Sequence, residues 1–286
     1  LGKPKLVTVG LTSDAGCHMV LVNLHEALFD LAGQVEIAHS YLLTDEKAIP
    51  GRAEIALIEG GVRTTHDEEV AKEVRSKCKT VVAFGSCASL GGIPGLANTI
   101  GLQELSHSVY GALPNVGVPA ALPTVRPISD LIRVDYVIPG CPPEASETVA
   151  VLAALLKGEA PRLPVKNVCY ECGKQQTRAY SSASRRLHER AADPQRCLLE
   201  QGYLCMGPAT RSGCRARCLE VNIPCEGCRG SSDGAEDQGL AMMDALATVA
   251  YPLVENYSLA RDSAALHRFT LARLRANHVL RRGEPQ

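Results

Sequence analysis

Tryptophan is absent from this 286-residue chain, and three phenylalanines and eight tyrosines are its only other benzenoid rings. A surface that stacks nucleobases needs such rings, so their scarcity argues against a single-strand nucleic-acid binder. Surplus charge is missing too: 30 Lys and Arg against 31 Asp and Glu leave a net charge of -1. That balance offers no electrostatic case for a polyphosphate partner, and no nucleic acid is expected. Long apolar runs are also lacking, since none reaches the roughly 18 residues that a membrane-spanning helix needs. The opening residues show no basic stretch followed by an apolar one, the form of an export leader. The expected setting is cytoplasmic, with any attachment to the inner face of a membrane made through partners.

Cysteine, by contrast, is abundant. Of twelve cysteines, eight fall between positions 169 and 228: Cys169, Cys172, Cys197, Cys205, Cys214, Cys218, Cys225 and Cys228. A disulfide framework suits a secreted chain, whereas in a reducing compartment such clustering reads as metal or iron-sulfur ligation. The length allows two domains, each with its own core.

Residues 5–157 alternate short apolar runs with helical patterns. KLVTVGLT, a helix from about Cys17 to Ala32, QVEIAHSY, EIALIEG, a helix over 67–77, TVVAFG, VDYVIPG and a helix over 143–156 follow in order. Runs so rich in Val, Ile and Leu predict strands buried on both faces, hence an α/β fold with a parallel sheet between helices. GEAPRLPVKN breaks this pattern, and a boundary is expected there, with domains 1–158 and 159–286. The second is irregular, cysteine-rich and short of apolar periodicity until GLAMMDALATVAYPL and the terminal helical pattern. Such a domain is expected to lean on metal centres for its folding.

Three first-half cysteines stand just past strands: Cys17 after KLVTVGLT, Cys87 in GSCAS after TVVAFG, and Cys141 in PGCPP after VDYVIPG. The carboxyl ends of parallel strands share one sheet edge, where ligands bind at the topological switch point. Three thiols from three loops can therefore meet, and Gly16, Gly85 and Gly140 let the backbone approach them closely. Iron-sulfur and zinc both suit such donors. Any one of these thiols alone could equally be an inert buried cysteine. Cys78, which precedes a strand, is expected to be structural or a surface thiol.

GSCASLGGIPG, PGCPPEASE, the Glu59-Gly60 step, RCLLEQGYLCMGPATRSGC and PCEGC resemble, in the same order, motifs of the small, electron-transfer subunit of nickel-iron hydrogenases. The wording of LCMGPATRSGC is most similar to the cytoplasmic, multisubunit members. The resemblance implies a flavodoxin-like domain holding a proximal cluster and a C-terminal domain holding two more. Three iron-sulfur clusters, of 4Fe-4S or 3Fe-4S type, are thus implied. The implied partners are a large subunit containing the nickel-iron centre and a further acceptor subunit or quinone. The proximal ligands would be Cys17, Cys87 and Cys141, with Asp14 standing where the family has the first cysteine of a C-x-x-C pair. Cys169, Cys172, Cys197 and Cys205 match the distal ligands. Cys214, Cys225 and Cys228 match the medial ones, and Cys218 could complete a four-iron version. The matching Glu59 lies, in the family, near a proton route at the large-subunit contact. Burial there would raise its pKa and let it pass protons.

Asp14, in SDAGC, carries three readings. It ligates an iron through oxygen, that iron is absent, or it only caps the following helix. The tail from Ser258 has six arginines against two acids on a helical pattern, read as a packed and solvated helix or as a docking face for a subunit or anionic membrane surface. Two other functions stay open at this point: a complex I type, quinone-linked subunit with one cluster, and a zinc-stabilised interaction module.

Overall fold

The computed structural model describes residues 2–111, 117–181, 184–249 and 264–274. They form two compact units, one within Leu1–Arg162 and Phe269–Gln286, the other within Leu163–Arg268. The sequence pattern groups everything from 159 to 286 together. Instead, the described residues from Phe269 onward pack with the first unit, where the methyl of Ala272 fills the space left by Gly91 and Gly95. Among the described residues, no helix is long and apolar enough to cross a membrane.

In the first unit the order is β1 (Lys5–Gly10), α1 (Gly16–Val22), α2 (Glu26–Gln34), β2 (Glu36–Ser40), β3 (Ala53–Glu59), β4 (Val62–Thr64), α3 (Thr65–Lys77) and β5 (Cys78–Phe84). Then follow α4 (Ser86–Leu90), α5 (Leu102–Tyr110), β6 (Ala121–Arg126), β7 (Tyr136–Ile138) and α6 (Ala145–Leu156). Five strands pair in parallel in the order β2-β1-β3-β5-β7, while β4 and β6 make a separate antiparallel pair. This is the expected flavodoxin-like arrangement, with the switch point between β1 and β3.

The central strand shows why the run is apolar throughout. Ala56, Leu57 and Ile58 are consecutive and all fully buried, so both faces of β3 lie against protein. α3 starts at a capping box in which Thr64 and Asp67 exchange hydrogen bonds, worth about 1 kcal/mol. Asp67 Oδ2 also accepts from the Thr12 hydroxyl at 2.9 Å, tying the loop after β1 to the start of α3.

The single helix expected over 17–32 is two. α1 ends at Val22, His25 takes φ +52°, and α2 begins at Glu26. The turn keeps Val20, Leu21, Leu24 and Leu31 buried while Phe29 faces out. Apolar spacing alone did not reveal this break because the apolar residues continue across it.

The second unit contains α7 (Arg217–Glu220) and α8 (Gln238–Val249) among loops. It has an apolar core that periodicity did not disclose: Val168, Leu198, Leu199, Tyr203, Met206, Leu219, Met242, Leu246 and Leu266 are buried together. Most come from loops, so they carry no repeat. Of the basic tail, 264–274 are described; the rest lies outside the described residues.

Candidate metal centres

The carboxyl edge of the sheet is laced together by backbone hydrogen bonds. Leu11 N–H donates to Glu59 O at 2.8 Å, and Thr12 and Gly61 exchange bonds at 3.1 and 3.0 Å, joining the loops after β1 and β3. Gly85 N–H donates to Ile138 O at 2.8 Å and Ser86 N–H to Gly140 O at 2.9 Å, joining those after β5 and β7. The segments carrying Cys17, Cys87 and Cys141 thereby share one edge. Two glycines make room for the thiols. A Cβ at Gly85, where φ is +89°, would lie 2.3 Å from Cys17 Sγ, and one at Gly92 2.6 Å from Cys87 Sγ.

The three thiols and Asp14 form one electrostatic group. Burial pushes the Cys17 thiol up, and Glu59, Cys87, Cys141 and Asp14 push it further. Cys87 is pushed up to about 12 by burial, then by Cys141, Asp14 and Glu59. Such thiols stay protonated near neutrality unless positive charge lies among them. A bound metal centre supplies that charge and takes the thiol as thiolate. The donor set fits a metal cofactor on this ground.

Asp14 is not the residue that caps α1. That position belongs to Ala15 at φ 65°. Asp14 Oδ1 nevertheless accepts the Gly16 N–H at 3.0 Å, which leaves Oδ2 for other use.

Glu59 overturns one expectation. Burial favours its neutral form, but a bond to the His18 ring and the amides of Cys17 and His18, at 3.1 and 3.0 Å, hold its carboxyl below the usual range. The carboxylate is fully buried and saturated, with the Tyr41 hydroxyl at 3.5 Å as a further donor. A raised pKa required burial without partners, whereas the turn after β1 supplies them. His18 and Tyr41, which meet edge to face, were not singled out from the sequence. A histidine inside an apolar helix was their only signal.

In the second unit, the Cys169 thiol interacts with those of Cys205, Cys197 and Cys172, so the structure brings this set together. Cys169 is pushed up to about 12 and Cys205 to about 11, burial being the main cause in both. Gly207 again leaves space: a Cβ there would sit 3.2 Å from Cys169 Sγ and 3.6 Å from Cys205 Sγ. Glu200, buried beside Cys197, accepts from Thr177 N and Oγ1 and Arg178 N at 3.0, 2.7 and 2.7 Å, and so shapes the loop.

The other four thiols fall into pairs. Cys214 interacts with Cys218, and Cys225 with Cys228 and Cys205. The two pairs are bridged by segment contacts: Arg229 Nε donates to Ser212 O at 2.9 Å and Arg211 N–H to Gly230 O at 3.0 Å. Buried Gln238 donates to Gly227 O and Thr210 Oγ1 at 2.9 and 3.1 Å, bracing the same region. Among the described residues, no three His, Cys, Asp or Glu side chains gather at single-ion spacing. Cys78 is buried at the start of β5, in the core and apart from these sets.

Residues 15–155 match the family described as NADH ubiquinone oxidoreductase, 20 Kd subunit. A vhu subunit of the F420-non-reducing hydrogenase of Methanocaldococcus jannaschii is 40% identical over 275 residues, covering 93% of this chain and 94% of that one. The iron-sulfur subunit of the F420-non-reducing hydrogenase of Archaeoglobus profundus is 36% identical over 270 residues, covering 82% and 84%. Among solved structures, a NAD+-reducing NiFe hydrogenase in the H2-reduced state superposes with TM-score 0.54 at 36% identity, over 57% of this chain and 96% of that one. A NiFeSe hydrogenase from Dm. baculatum, at 18% identity and TM-score 0.53, covers 82% of this chain and 97% of its own, and shows the shared fold.

The fold, the cysteine-rich second unit and the names of these relatives together mark an iron-sulfur subunit of an oxidoreductase. With relatives of this identity over nearly the full length, the chain belongs to the small-subunit family of nickel-iron hydrogenases.

Proposed function

We propose that this chain is the electron conduit of its hydrogenase, while hydrogen is split at the nickel-iron centre of a separate large subunit. Cys17, Cys87 and Cys141, with Asp14, hold the proximal cluster. Cys169, Cys172, Cys197 and Cys205 hold the distal one. Cys214, Cys225 and Cys228, with Cys218 beside Cys214, hold the medial one. Bound there, iron-sulfur clusters supply one-electron redox chemistry.

The observation that carries this reading is the contact between two ligand sets. The Cys225 N–H donates to Cys205 Sγ at 3.4 Å, so one hydrogen bond and a few covalent bonds link the thiolates of two neighbouring centres. Both cysteines are buried, which keeps water from the link. At the sheet edge, Glu59 serves as the anchor of the Cys17 turn. A proton route there would run through the His18–Glu59 pair rather than a neutral carboxyl. Relatives named F420-non-reducing match nearly the whole chain and a neighbour titled NAD+-reducing matches 57% of it, and these differing names support an acceptor chosen by partner subunits. Uptake of hydrogen is the favoured direction if oxygen ligation at Asp14 raises the proximal potential.

The test is iron and sulfide quantification with electron paramagnetic resonance on the anaerobically purified complex. Three reducible centres are expected in this chain. A single centre would restore the complex I type reading, and zinc without reducible iron would refute conduction altogether.

A further inference from the structure

Arg229 is 3% exposed, and no other Lys or Arg among the described residues is buried to this degree. It follows Cys228 directly. Its Nε donates to Ser212 O at 2.9 Å, two residues before Cys214. The backbones agree with this placement, since Arg211 N–H donates to Gly230 O and Thr210 bridges Ser231 in antiparallel fashion. The segment entering Cys214 is thus clamped against the segment leaving Cys228, and the guanidinium lies within the clamp.

A guanidinium remains charged at any working pH, and burying it is costly unless negative charge lies close. The Cys214 thiol feels the Arg229 charge, and more weakly the opposite charge of Glu171. Glu171 Oε1 accepts the Gly213 N–H at 2.8 Å and its Oε2 is buried, so that carboxylate is a fixed part of the same surroundings, and the charge of Arg229 is felt in addition to it.

We propose that Arg229 is a positioning residue that raises the midpoint potential of the centre held by Cys214, Cys225 and Cys228. This rests on the ligand assignment above. Each one-electron reduction adds one negative charge to that ligand set, the electron arriving from one neighbouring centre and leaving to the next, with no bond made or broken. A fixed buried positive charge favours the reduced state, so an electron in transit is held more readily at this step.

The experiment is a redox titration, followed by electron paramagnetic resonance, on the intact anaerobic complex carrying R229Q or R229K. With iron content unchanged, R229Q is expected to lower the reduced-to-oxidised ratio of one centre about tenfold at fixed potential, equivalent to about 59 mV for one electron. The other centres keep their midpoints, and R229K keeps the parent value because it keeps the charge. Unchanged midpoints in iron-replete R229Q, or an equal shift in R229K, would overturn the proposal. Should R229Q lose iron, R229K decides: full iron at the parent midpoint upholds the role of charge, and a shifted midpoint or lost iron overturns it. A parent protein with one centre only would instead refute the three-centre assignment, so the two failures are distinguishable.

Discussion

Replacing Gly85 by alanine tests the construction of the sheet-edge site in two separable ways. Gly85 sits at φ +89° and ψ 172°, a region essentially restricted to glycine, where a side chain costs about 1–3 kcal/mol in backbone strain. The added methyl would also lie 2.3 Å from Cys17 Sγ. The thiol can escape by changing rotamer, which adds little to the stability loss but takes the sulfur away from Cys87 and Cys141. The expectation is a fall in stability, with Tm lower by about 2–12 °C on the usual scaling for a domain of this size, and the loss of one centre's iron from the purified complex. Gly101→Ala is the control, since nothing lies within 4 Å of its Cβ position and its φ of -65° is ordinary. Calorimetry and iron analysis on the two variants settle the matter. If G85A kept both its Tm and its full iron, the convergence of Cys17 on this glycine would be wrong.

Three other outcomes follow from the same geometry. Asp14→Cys is expected to change the spectrum or midpoint of the sheet-edge centre. Asp14→Asn, which keeps an oxygen acceptor for the Gly16 amide, separates ligation from turn-making, because an unchanged centre in both variants leaves only the turn. Asp135 is held below the ordinary carboxylate range although burial works against its charge, because the Val81 amide and the Arg75 guanidinium bond to it at 2.8 and 2.6 Å. A depressed folded-state pKa means its stabilisation is complete above the unfolded value and fades as pH falls through the folded one. Urea unfolding of Asp135→Asn should therefore show a deficit against the parent near neutrality that closes in acid. Leu57→Ala, in the fully buried centre of β3, should cost about 2–5 kcal/mol in unfolding of the first unit, and a loss under about 1 kcal/mol would contradict the two-sided burial of that strand.

Much of the sheet was legible because burial on both faces leaves a strand few residue types to choose from. KLVTVG, AEIALIE and CKTVVAF are apolar nearly throughout, and they became β1, β3 and β5. The short pair β4 and β6 was not legible, since three and six residues with mixed burial carry no periodic signal. The split between α1 and α2 was hidden for the opposite reason: the apolar spacing was regular, and only the backbone at His25 breaks it.

At the candidate sites the same division holds. Sequence by itself determined which residues could serve as ligands, because thiolate chemistry has no substitute among the other side chains and the cysteines follow strands or stand in close pairs. It also placed Asp14 at an odd position in that series. Only the tertiary structure decided that Cys17, Cys87 and Cys141 lie within electrostatic reach of one another, that Glu59 is held ionised by His18 and two amides, and that a buried Arg229 lies between the segments of Cys214 and Cys228. These outcomes depend on burial and on charges brought close by distant parts of the chain, and neither quantity is local to a stretch of sequence.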